Sequence, residues 1–101
     1  MTVRELRDYL PDHEDFNDYV VEIDYGWVTA YAVAVVEIDG DMLLLFCYDR
    51  EKATKVSTLW AICNNDELRY KTVRLKWGPE VKVTLAPIDN VEKTVTLHLA
   101  V

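Results

Sequence analysis

Few residues in this chain could do covalent chemistry. The 101 residues include two cysteines, Cys47 and Cys63, and two histidines, His13 and His98. A cysteine nucleophile needs a lowered pKa and a base close by. Both cysteines instead sit in apolar runs, MLLLFCY and STLWAIC. A free cysteine there behaves as a small hydrophobe. Sixteen positions apart, the pair makes neither a disulfide framework nor the Cys-x-x-Cys spacing of a structural zinc site. His13 lies among acids and His98 in an alternating apolar run.

Carboxylates are the abundant polar groups. Asp12, Glu14, Asp15 and Asp18 surround His13 and could attract a hard cation. An EF-hand loop needs oxygen ligands at positions 1, 3 and 5, then glycine. Counting from Asp12 puts Phe16 at position 5 and Asn17 at the glycine position, so the pattern fails. Paired carboxylates can also run acid–base chemistry, but so many acids in one stretch make any pairing uninformative. There is no Gly-rich phosphate loop, Gly-x-Ser-x-Gly elbow or His-Glu-x-x-His motif. The expectation is a non-enzyme with no metal and no cofactor.

The distribution of charge says more than its total. The formal net charge is −7, with 18 acids against 11 bases. From Asp8 through Asp49 there is no Lys or Arg, and that stretch holds eleven acids. From Arg50 onward nine bases outnumber six acids. An acidic surface repels phosphates and favours a positively charged partner. Simple solvation of an acidic face is the alternative. The basic part, with Lys71, Arg74, Lys76 and Lys82 beside Tyr70 and Trp77, could suggest nucleic-acid contact. The acidic stretch argues against it, so no direct nucleic-acid ligand is expected. Positive side chains on such strands also guard sheet edges.

Aromatic residues are interleaved with the acids: Tyr9, Phe16, Tyr19, Tyr25, Trp27, Tyr31, Phe46 and Tyr48. Tyr and Trp beside carboxylates can anchor an Arg- or Lys-rich surface. Glu22 and Asp24 are two apart on an expected strand, roughly 6.8 Å at about 3.4 Å per residue. Alternate phosphates along one nucleic-acid strand, at ~3.4 Å axial rise each, have a similar spacing. The candidate partner-binding set is therefore Asp12, Glu14, Asp15, Phe16, Asp18, Tyr19, Glu22, Asp24 and Tyr25.

The elements that must position these residues can be read in part. Half of the residues are hydrophobic and 29% are charged, enough for one packed domain spanning 1–101. Thr2-Val3-Arg4-Glu5 is a capping box. Val3, Leu6 and Leu10 share a helical face, and Pro11 ends the helix. Residues 19–25 alternate as a strand, with Tyr19, Val21, Ile23 and Tyr25 on one side and Glu22 and Asp24 on the other. Gly26 marks a turn or bulge, and residues 27–38 form a longer strand. Its alanine face (Ala30, Ala32, Ala34) would let the N-terminal helix lie close. Asp39-Gly40-Asp41 is a hairpin signal, and residues 42–48 read as a central strand.

Residues 56–64 read two ways. Val56, Leu59, Trp60 and Cys63 make a helical stripe. STLWAIC followed by Asn64-Asn65-Asp66 also reads as a strand and tight turn, and the strand is preferred. Runs 68–77, 80–86 and 94–101 alternate at period two and are expected to form a meander. The fold class is α+β: one short N-terminal helix on a mainly antiparallel sheet of five or six strands.

The opening Thr2-Val3-Arg4-Glu5-Leu6-x-x-x-Leu10, an acidic turn and Tyr19-Val20-Val21-Glu22-Ile23 together resemble the start of small, mostly uncharacterised proteins of bacteria and their phages. That resemblance covers about the first quarter of the chain and implies a helix docked on a sheet. In size and acidity the chain is also similar to phage anti-defence proteins, including anti-CRISPR inhibitors. This implies stoichiometric inhibition of a nucleic-acid-binding host effector, in the cytoplasm of the host. No apolar run reaches the ~20 residues of a membrane helix, and the N-terminus lacks the apolar core of a signal peptide. Two other readings stand beside the inhibitor. One is a self-assembling domain whose acidic part meets the basic sheet of another copy. The other is a small ligand binder or enzyme.

Overall fold

A computed structural model describes residues 1–12, 14–26, 28–36, 40–76 and 88–98. The expected strand at 80–86 lies outside these residues, as do His13, Trp27, Trp77, Lys82 and the end of the 94–101 run.

The N-terminal helix α1 spans Val3–Tyr9 and starts as the sequence indicates. The Thr2 hydroxyl accepts from the Glu5 amide at 3.2 Å, and Glu5 Oε1 accepts from the Thr2 amide at 3.0 Å. Two otherwise unpaired donors are thereby satisfied. Three strands follow in hairpin succession: β1 (Val20–Tyr25), β2 (Val28–Val36) and β3 (Met42–Cys47). Gly26, between β1 and β2, takes φ 67°, a left-handed conformation that costs glycine nothing.

The next element corrects the sequence reading. Val56–Cys63 is a helix, α2, not a strand. Val56, Leu59 and Cys63 are buried on one stripe. A 3₁₀ turn at Arg50–Lys52 leads into it. The 68–77 run is also shorter than expected. Leu68 and Lys71 close a turn onto Asn65 and Leu68, and among the described residues of the run only Val73–Leu75 form a strand, β4. The short β5 (Ile88–Asp89) was not anticipated, whereas β6 (Thr94–His98) falls within the expected 94–101 run.

Among the described residues these strands form one six-stranded sheet in the order β4-β3-β2-β1-β6-β5. It is mixed rather than a meander. β1 pairs with β2, β2 with β3, and β5 with β6, all antiparallel; β1–β6 and β3–β4 are parallel. Helix α2 is the crossover that parallel β3 and β4 require. The class is α+β, with two α-helices among the described residues.

Both helices contribute to one core. Val3 and Leu6 of α1 and Val56, Leu59 and Cys63 of α2 meet Val21, Ile23, Ala32, Leu44, Val73, Val95 and Leu97 of the sheet. The alanine face of β2 does turn toward the helices. However, α1 is fastened by hydrogen bonds to the segment leading into β4: Val3 N–H donates to Lys71 O, and Val73 N–H to Met1 O, each at 2.9 Å. The alternation of β1 puts Glu22 and Asp24 on the opposite sheet face from Val21 and Ile23.

Candidate partner-binding surface

The six candidate acids divide between two surfaces. Asp12, Glu14, Asp15 and Asp18 are exposed on the loop between α1 and β1, which turns through a 3₁₀ helix at Glu14–Phe16. This loop is pinned on the helical side. Phe16 packs against the core and meets the Tyr19 ring edge-on at 5.2 Å. Asn17 N–H donates to Glu14 O and Tyr19 N–H to Phe16 O, both at 3.1 Å. The Ser57 hydroxyl of α2 donates to Asn17 O at 3.2 Å. Glu14, Asp15 and Asp18 therefore stand on a hydrogen-bonded turn. Asp12, Glu14 and Asp18 form no ion pair with any cation among the described residues.

Tyr19 lies at the end of this loop, only 8% exposed, with its hydroxyl donating to Asn90 Oδ1 at 2.8 Å. Its ring is core, not contact area. Phe16 is half-buried for the same reason. Period-two alternation indicates which way Tyr19 points. That the loop folds its aromatic residues inward has no local signature, because the anchoring surface is α2.

Glu22 and Asp24 occupy the other sheet face. The parallel β1–β6 register sets Glu22 beside Thr96 and Asp24 beside His98. Thr96 Oγ1 donates to Glu22 Oε2 at 3.2 Å, and His98 Nδ1 lies 3.2 Å from Asp24 Oδ2. Both acids are half-buried and already engaged. Nothing local in the sequence marks Thr96 or His98 as their neighbours. The backbone of Tyr25 closes β1 opposite Val28.

Arg50 lies across this face, with its guanidinium carbon 5.9 Å from the Tyr31 ring centroid and Nη2 donating to Lys93 O at 3.2 Å. At the far edge Arg74 Nε sits 3.0 Å from Asp41 Oδ2. That contact is one of charge, since the N–H makes no hydrogen bond. Arg74, one of the basic residues considered above for nucleic acid, is thus facing an acid. A shallow, open cleft on α1 is lined by Glu5, Asp8 and Tyr9.

The reactive residues are dispersed. Cys63 is buried, and burial pushes its thiol up to about 12, against a smaller opposing pull from Arg7. Such a thiol is a poor nucleophile at neutral pH. Cys47 is half-buried and exchanges hydrogen bonds with the Asp49 backbone, both at 3.4 Å. Among the described residues no three His, Cys, Asp or Glu side chains are grouped to hold a metal ion. Nor is any helix among those residues long and apolar enough to cross a membrane. Compared with protein-family models, curated proteins and solved structures, the chain matches none.

Proposed function

We propose that this chain is a non-catalytic, acidic protein-binding module that docks a basic partner surface through the loop between α1 and β1. One observation carries this reading: Asp12, Glu14 and Asp18 are exposed and pair with no cation among the described residues, and Glu14 and Asp18 lie on a turn anchored by Phe16 and Asn17. A fixed array of like charge attracts cations without first ordering the chain, so less entropy is lost on binding. Opposite charge on a partner speeds encounter and selects against acidic surfaces. The half-buried, engaged carboxylates of Glu22 and Asp24 are less suited to the same task.

The concrete form of the proposal is inhibition of a nucleic-acid-binding host defence effector. The loop would compete with nucleic acid for the effector's basic surface. This version rests on the resemblance in size and acidity and on the sign of the loop. The test is affinity capture from host lysate at low and high salt, with the captured proteins identified by mass spectrometry. A basic, nucleic-acid-binding partner released by salt and displaced by nucleic acid supports the proposal. No specific partner, or one held equally at high salt, overturns it.

A further inference from the structure

We draw no further inference here: the strongest candidate, the sheet face opposite the helices that carries Glu22, Asp24, Tyr31, Val33 and Val35, is a half-exposed surface with nothing in the structure to show what covers it.

Discussion

The Tyr19 hydroxyl donates to Asn90 Oδ1 across 2.8 Å, tying the end of the acidic loop to the turn that joins β5 and β6. Beside it, Val20 N–H donates to Lys93 O at 3.1 Å. Together they close the start of the parallel β1–β6 pair. Tyr19→Phe keeps the buried ring and loses the hydroxyl, so it should cost about 0.5–1.5 kcal/mol. Asn90→Ala should cost a similar amount, and the double variant should cost less than the two together. Urea unfolding of all three measures this; full additivity would contradict the contact. Tyr19→Ala, which also removes the ring, should cost about 3–5 kcal/mol.

Thr54 bridges the fork where β1 and β2 separate. Its amide donates to Ala32 O at 2.8 Å, its carbonyl accepts from Val21 N–H at 3.0 Å, and its hydroxyl accepts from Ala34 N–H at 2.9 Å. Thr54→Val preserves shape and strands the Ala34 amide, at an expected cost of about 1–3 kcal/mol. Hydrogen exchange at Ala34 should accelerate, and Thr54→Ser should restore most of the protection. A Val variant as stable as the parent would show that the hydroxyl contributes nothing.

Glu5 gives the protein an acid-side pH dependence. Hydrogen bonds from the Thr2 amide, then the Thr2 hydroxyl, hold its carboxyl below the usual value of 4.5. A depressed folded pKa contributes stability that is present above the unfolded value and lost as pH falls through the folded one. Glu5→Gln keeps an acceptor and removes the titration. Its stability below pH 4.5 should therefore fall less steeply than the parent's, as read by thermal melts across that range. Parallel slopes would show that Glu5 is not linked to folding.

Cys63 acts on the alkaline side. Its thiol keeps its proton in the fold up to about 12, against an ordinary 9.0. Between those values the unfolded chain releases a proton that the folded chain retains, so stability falls as pH rises. Cys63→Ala should flatten that decline. At neutral pH a thiol reagent should modify Cys63 only after denaturation, with half-buried Cys47 reacting first. Rapid native labelling of Cys63 would contradict its burial.

Local signals made α1 and the β1–β2–β3 succession legible, because a capping box, Pro11, Gly26 and clean alternation each act within a few residues. Helix α2 was ambiguous for a physical reason. Lys55, at its N-cap, supplies no side-chain hydrogen bond, so the start signal is missing. Its Val, Thr, Trp and Ile content also favours strands. Burial of Val56, Leu59 and Cys63 against the sheet settles the conformation, and that contact is non-local. The parallel pairing of β1 with β6 likewise depends on residues more than 70 positions apart. For the candidate surface, alternation over 19–25 separates Glu22 and Asp24 from the acids of the preceding connection, but it does not reveal Thr96 and His98 as their neighbours. The inward packing of Phe16 has no local signal, because the loop is received by α2, whose own residues also read as a strand.

Side-by-side capture of the partner by two variants tests the central claim most directly. The first reverses Asp12, Glu14 and Asp18 to Lys; the second carries Glu22→Gln and Asp24→Asn. The three loop carboxylates make no ion pair among the described residues, so the first variant should fold with a melting temperature near the parent's. The loop variant should lose capture at least tenfold, while the sheet-face variant retains it. Undiminished capture by a folded loop variant would contradict the account.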